Sequence, residues 1–397
     1  MNAVMPFRLR FDLPKWQPAL GVTAAGVVAV MLASDTVRLG AQTTGEPYAA
    51  LLPASTLEFP SETDSNSPAV WEIVDGSWTM SLFNSVAGWA EVSRGPSLRT
   101  LARHGEVRFA TAAPHGGTWF ESLILDADSW YGFYHNERED IVCPGSDKVW
   151  PRIGAARSDD RGVTWTDLGP VIETPLSAVN CTTNNDYFVG GAGDFSVMLG
   201  PARNYAYFYY SQYDEVGDRV GVSAARMAWA DRDQPAGRVD IWSDGAWLPP
   251  SEVRVATTTA APRGRGAEDE PSFETGWNYP LATPIFRSPN RWDDDRAGVD
   301  VLWGPSIHWN TALQTYVMLL NRAVSNAWEQ GGVYVSFNDG LDAPDAWSEP
   351  ALVTRGGSWY PQVIGLDPTL GTDKYAGGIA RFFMAGKSEH LIVFGRR

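Results

Sequence analysis

One pattern returns five times along this chain: a small or polar start, a strand of β-branched and aromatic residues, a short turn, and a second strand ending in an amide or hydroxyl. It runs from Ser67-Pro68-Ala69-Val70-Trp71 through Trp78 to Asn84, and from Phe120-Glu121-Ser122-Leu123-Ile124 through Trp130 to Asn136. A third copy runs from Asp194-Phe195-Ser196-Val197-Met198 through Tyr207 to Gln212, and a fourth from Gly304-Pro305-Ser306-Ile307-His308 through Tyr316 to Asn321. The last starts at Trp359-Tyr360-Pro361-Gln362-Val363 and reaches Ile392-Val393-Phe394. A repeated unit of this kind buries its apolar face only against its neighbours. Short alternating strands bounded by Asp-Gly and Gly-Gly turns, with hardly any stretch of helical period, predict an all-β chain. Radial stacking disposes of exposed sheet edges, so five copies predict a five-bladed β-propeller.

Residues 46–397 are assigned to that domain. Segment 251–299 breaks the rhythm with Thr257-Thr258-Thr259, Pro262-Arg263-Gly264-Arg265-Gly266 and Asp293-Asp294-Asp295, and reads as a long insertion between the third and fourth blades. Ahead of the domain, Arg8, Arg10 and Lys15 precede an apolar run from Ala19 to Ala33 and then polar sequence, the order of a secretory signal. The run is shorter than the ~20 residues of a usual membrane span, so residues 1–45 read as a cleaved signal plus linker, with an N-terminal anchor as the alternative. A secreted or periplasmic protein is expected. Two cysteines in an exported chain predict a Cys143–Cys181 disulfide.

The net charge of −16 argues against nucleic acid and anionic membrane surfaces as partners. The five histidines (His104, His115, His135, His308 and His390) form no H-x-x-x-H or H-E-x-x-H pair, so no zinc site is signalled and no cofactor is expected. Asp293-Asp294-Asp295 is the one stretch suggesting calcium, and it lacks the spaced oxygen ligands of a calcium loop. A monomer is expected.

In an up-and-down blade of four strands, the start of the innermost strand and the link between strands two and three share one face. The turn between strands three and four lies on the other. Inner-strand starts converge on the axis, so Asp64, His115, Glu121, Asp194 and Asp300 are expected to crowd one end of the channel. The ends of the second strands add His135, Asn136, Glu137, Gln212 and Asn321, while Trp119, Trp303, Trp309 and Tyr360 would offer flat apolar faces to a sugar. Carboxylates crowded in a recess suit glycoside hydrolysis, in which one must be neutral to protonate the leaving oxygen and the other charged. On this reading Glu121 is the proton donor, Asp194 tunes or orients, and Asp64 activates water, with Asp300 as its alternative. His115 and His135 bind hydroxyls. The competing reading is a solvated channel mouth that binds a glycan, or adheres to one, without cleaving it.

Ser158-Asp159-Asp160-Arg161-Gly162-Val163-Thr164-Trp165 follows the order S-x-D-x-G-x-T-W and resembles the Asp-box of sialidases and related propeller glycosidases. That box sits at the blade periphery, away from the active site, so it bears on architecture. The blade starts resemble, over about 60 to 397, the five-bladed hydrolases of the arabinanase and invertase type, such as glycoside hydrolase family 43. The resemblance implies a base Asp in the first blade, a pKa-modulating Asp in a middle blade and an acid Glu in an E-G-P segment. Asp194 in Gly193-Asp194-Phe195 matches the modulator. Ser67 stands before Pro68 where the base would be, and Trp303 precedes Gly304-Pro305 where the acid would be. A sixth blade within 251–299 would move the fold toward a true sialidase. Such an enzyme carries an arginine triad and an early R-I-P segment, and Arg152-Ile153-Gly154 lies too late in the chain for it. An exo-sialidase therefore ranks below a hydrolase of neutral glycans.

Overall fold

The computed structural model describes residues 45–110, 113–138, 142–215, 219–257, 272–287, 292 and 298–397. The expected signal segment, apart from Gly45, and the Asp293-Asp294-Asp295 run lie outside the described residues.

Five sheets of four to six strands follow one another along the chain. The first is built on Ala69–Val74 and the second on Gly117–Asp126, each as the innermost strand. The third is built on Ala192–Leu199, the fourth on Val301–Asn310 and the fifth on Gln362–Gly365. These are the five repeats of the sequence. Side chains on successive strand positions leave on opposite faces, so each sheet packs against two neighbours. In Ala192–Leu199, Phe195 and Val197 pack against Phe133 and Ile153 of the second sheet, while Met198 packs against Ile307 and Met318 of the fourth.

The same construction continues around the ring. Val70 and Phe83 of the first sheet meet Phe120 and Trp165 of the second, and Val317 and Leu319 of the fourth meet Val363 and Phe382 of the fifth. Ala69 and Leu82 meet Ile364 and Phe383, which closes the circle. The result is a five-bladed β-propeller. Closure uses both ends of the domain: Pro47–Glu58 is the outermost strand of the fifth blade, antiparallel to Lys387–Arg396, and Glu46 and Arg397 exchange backbone hydrogen bonds of 3.0 Å.

Polar side chains stitch the inner strands together. Phe120 N–H donates to Ser85 Oγ, Val197 N–H to Ser122 Oγ, Gly304 N–H to Ser211 Oγ and Ser67 N–H to Gln362 Oε1, in each case from one blade to the preceding one. At the far end of the hub, Lys374 Nζ donates to Ser122 Oγ (3.1 Å) and Ser196 Oγ (2.8 Å). Trp309 lies at that far end, beside Lys374 and Tyr375, so it is remote from the residues with which the sequence grouped it.

The turn at 158–165 joins the third and fourth strands of the second blade. Asp160 Oδ1 accepts the N–H groups of Val163 (3.1 Å) and Thr164 (2.8 Å), Thr164 Oγ1 donates to Asp160 Oδ2, and Trp165 is fully buried with its Nε1–H on Gly162 O. Arg161 and Gly162 both take positive φ, as a tight hairpin of this twist requires. Within segment 251–299, Ser251–Thr257 pairs with Ser272–Asn278 as a hairpin, and Phe286–Arg287 returns to Gly221–Val222 of the third blade. No sixth sheet of blade size is present among the described residues.

Candidate functional site

The inner strands of blades two, three and four carry an irregularity at the same depth. In Gly117–Asp126 the register steps from Phe120 opposite Tyr134 to Ser122 opposite Phe133, which leaves Glu121 as the extra residue. In Ala192–Leu199 it steps from Gly193 opposite Ser211 to Phe195 opposite Tyr210, which leaves Asp194 extra. The fourth blade has its break between Trp303 and Ser306, over Gly304-Pro305, and so contributes no acid. A bulge re-aims the side chain of its extra residue. Here the bulges in blades two and three turn two carboxylates toward one space. Asp194 adopts φ +41 and Tyr360 φ +55, and non-glycine residues hold such values only where their surroundings enforce them.

Glu121 is 1% exposed, Asp194 4% and His135 3%. Glu121 Oε2 accepts the Phe195 N–H (3.0 Å) and Asn66 Nδ2 (3.4 Å), while its Oε1 is buried without a hydrogen-bond partner, 3.6 Å from His135 Nδ1. Asp194 Oδ1 lies 3.8 Å from the same nitrogen. It accepts the Tyr360 hydroxyl at 3.3 Å, and Asp194 Oδ2 accepts the Tyr213 hydroxyl. On the other side of the ring, His135 Nε2 is 3.4 Å from Glu137 Oε1, and the Glu137 side chain is 28% exposed. Half-buried Asp64 accepts Trp119 Nε1–H at 2.7 Å, and the Trp119 ring stands edge-on to His135 at 5.6 Å.

The electrostatics follow from this packing. Burial pushes Glu121 up to about 7, against the pull of His135 and the Phe195 amide, with Asp194 adding to the rise. Burial also raises Asp194, opposed by His135 and the Tyr213 hydroxyl. Burial works against a charged His135, yet the surrounding carboxylates of Glu121, Glu137 and Asp194 override it and raise the affinity of the imidazole for a proton. Asp64 is raised by burial despite the Trp119 hydrogen bond, with Glu137 and Asp194 contributing repulsion. The Asp194 backbone N–H points at His135 Nδ1 (3.1 Å), which calls for a lone pair there, whereas the carboxylates favour a proton. One proton is thus contested between Glu121 Oε1 and Nδ1.

Glu121, His135 and Asp194 each bring a ligand-type atom within 4.8 Å of the others. Two tyrosine hydroxyls on Asp194, an amide and Asn66 on Glu121 Oε2, and an amide on Nδ1 already hydrogen-bond these groups, while Glu121 Oε1 stays open.

The other residues singled out in the sequence are placed as follows. Asp300 is held bidentately by Arg322 at 2.7 Å. Asn136 is buried and donates to the carbonyls of His115 and Gly117, while His115 is exposed. Gln212 bonds the Ala282 and Arg219 backbone and so holds a loop in place, while Asn321 accepts from Gln330 at the start of the neighbouring strand. Trp303 is 2% exposed and packs on Trp328, Trp359 and Tyr360, which leaves it no face for a sugar. Tyr360 is buried in the same layer and serves Asp194.

Several contributors escaped the sequence reading. Asn66 Nδ2 also reaches the carbonyls of Phe195 (2.9 Å) and Pro305 (3.1 Å), so one amide ties together the starts of four blades. Tyr213, Phe188 and Tyr187 were missed as well, and only Tyr213, one residue beyond the Gln212 repeat end, carried a positional signal. Phe188 stacks on Tyr213 at 4.3 Å, and exposed Tyr187 stands edge-on to Trp359. Cys143 and Cys181 form a disulfide. The loops it joins are further tied where Val149 exchanges backbone hydrogen bonds with Tyr187 and Val189, so the bridge braces the segment carrying these rings.

The fold and this site define a five-bladed β-propeller with a carboxylate-rich hub at one end. No protein-family model matches the chain, and no curated protein is similar to it. Among solved structures it is similar to an endo-arabinase from Bacteroides thetaiotaomicron, with 12% identity, TM-score 0.47, and 86% of this chain and 97% of that one covered. It is similar also to a thermostable family-43 glycoside hydrolase (10% identity, TM-score 0.46, 86% and 92% covered). The native arabinanase of Bacillus subtilis is a third (11% identity, TM-score 0.42, 84% and 96% covered).

Proposed function

We propose that the protein is an exported glycoside hydrolase that uses carboxylate acid–base chemistry at the Glu121 end of the hub. The observation that carries this reading is the ordering of carboxylates around His135. Two are buried and biased toward holding protons, while Asp64 and Glu137 stand nearer to solvent. Hydrolysis of a glycosidic bond needs such a division, one group able to give a proton and one able to stay charged. Glu121 has too little exposed surface to touch a sugar, so Asp64 and Glu137 are the groups that would face the substrate. Trp119 bonds Asp64, and Tyr187 and Trp359 would add aromatic planes on the Phe188 side of His135. Arg152 is engaged by Asn136 and Glu173, and Arg322 by Asp300, which favours a neutral glycan over a carboxylated one. The disulfide agrees with export.

The test is turnover of a panel of aryl and oligomeric glycosides by the full-length protein. Asp64→Asn and Glu137→Gln should each lower kcat on the order of 10²–10⁴-fold. Glycan binding without cleavage by the unaltered protein would decide for the non-catalytic reading.

A further inference from the structure

We infer that His135 is a proton relay, carrying a proton held between Glu121 and its Nδ1 out to Glu137, which delivers it to the leaving oxygen. The inference rests on the hydrolase reading above and adds to it a source for the proton.

The two ring nitrogens face different carboxylates. Nδ1 looks inward to Glu121 Oε1 at 3.6 Å and Asp194 Oδ1 at 3.8 Å, and Nε2 looks outward to Glu137 Oε1 at 3.4 Å. Glu121 Oε1 is a buried oxygen with no other partner, and His135 Nε2 has no hydrogen bond in the resting arrangement. An imidazole so placed stands between an interior carboxyl and a rim carboxylate and can exchange a proton with each. Among the described residues the ring also meets Trp119, the Phe188 ring and Gly193, and the Tyr213 and Tyr360 hydroxyls donate to Asp194 beside it. A Cβ at position 193 would collide with the imidazole, so the backbone there is cut to fit the ring in this pose.

The step balances as a tautomer exchange. The Glu121 carboxyl gives its proton to Nδ1, which releases the Asp194 N–H, as Nε2–H passes its proton to the Glu137 carboxylate. The products are a Glu121 carboxylate, an imidazole protonated at Nδ1 and a neutral Glu137. Glu137 then protonates the glycosidic oxygen as the C–O bond breaks. The water that completes hydrolysis gives its proton to Asp64, and solvent returns a proton to Glu137, from which the chain is refilled in reverse.

Glu137 is the catalytic residue in this scheme; His135 and Glu121 are positioning residues that act through it. The experiment has two arms on the full-length protein. Imidazole ¹⁵N NMR of the five histidines, in the unaltered protein and in Glu121→Gln, should show a His135 Nδ1 signal intermediate between protonated and bare nitrogen across pH 6–9. In the variant it should move to bare nitrogen. An Nδ1 signal identical in both proteins overturns the relay whether or not a substrate is known.

In the kinetic arm, Glu121→Gln should lower kcat at least tenfold on glycosides with poor leaving groups, with KM within twofold. The basic limb of its pH profile should move at least one unit toward acid. Dinitrophenyl glycosides, which need no proton, should be cleaved nearly as before. An equal loss on both substrate types, or a chelator-sensitive kcat restored by calcium, overturns the relay. A shared Nδ1 proton in a protein that cleaves no glycoside overturns the hydrolase reading instead. Near-ultraviolet circular dichroism of the Gln variant separates these outcomes from misfolding.

Discussion

At the scale of single residues, this fold uses buried polar groups under contrasting constraints. Asp214 is the clearest case outside the candidate site. Burial pushes its carboxyl up to about 7, opposed by the Gly191 N–H on Oδ1, and Oδ2 is buried without a hydrogen-bond partner. The unfolded chain ionises near 4, so between pH 4 and 7 the folded state holds a proton that the unfolded state has released. Stability is then fully present below pH 4 and falls as pH rises through 7. The contribution is on the order of a few kcal/mol for a shift of this size. Asp214→Asn, which keeps the Gly191 acceptor, should flatten that fall. Urea midpoints at pH 4.5 and pH 8 measure it, and the variant should gain most at pH 8. Tyr213→Phe should act in the opposite sense. It strips a donor from buried Asp194 and should cost about 1–3 kcal/mol in the same assay.

At the scale of elements, scaffold and site occupy opposite ends of a blade. The Asp160 carboxylate gathers two backbone amides and the hydroxyls of Ser158 and Thr164 in its hairpin, and none of these contacts reaches the Glu121 end. Asp160→Ala should therefore lower thermal stability by about 2–3 kcal/mol while KM and kcat on any substrate found stay within twofold. The disulfide belongs to the other end. It closes a 38-residue separation, for which loop entropy allows about 4 kcal/mol. Replacing both cysteines with serine should lower stability by up to that amount. It should also raise limited proteolysis within 173–189, the stretch that carries Tyr187 and Phe188. A protease pattern unchanged by the double substitution would show that the backbone pairing with Val149 suffices to hold that wall.

At the scale of the whole molecule, the ring is held shut by one strand supplied from the start of the domain. Pro47–Glu58 covers the last blade, with Ala49 and Leu51 packed on the core between blades four and five. Removing residues 46–58 should abolish cooperative unfolding, since it strips the outer face from Lys387–Arg396. A circular permutant that joins Arg397 to Glu46 through a short Gly-Ser linker and opens the chain at the exposed Asp244-Gly245 turn should fold. Those ends already bond each other, and the new termini lie at a hairpin tip. Near-native circular dichroism and a single unfolding transition are the expected results.

The number of blades, their inner strands and the 158–165 turn were legible in the sequence, because alternation along a strand and turn chemistry are local properties. Glu121, Asp194 and His135 were legible as candidates because their repeat positions map to one end of the hub. Only the tertiary structure decided what those positions mean. A bulge is a mismatch between two strands, and a single strand does not announce it. So the turning of Glu121 and Asp194 into one space, and its absence over Gly304-Pro305, could not be read from periodicity. Asp300 and Trp303 sit at comparable sequence positions yet go to an ion pair and a packed aromatic layer, because their partners come from elements distant in sequence. The closing strand before residue 59 was hidden for the same reason: its pairing partner lies more than 300 residues away.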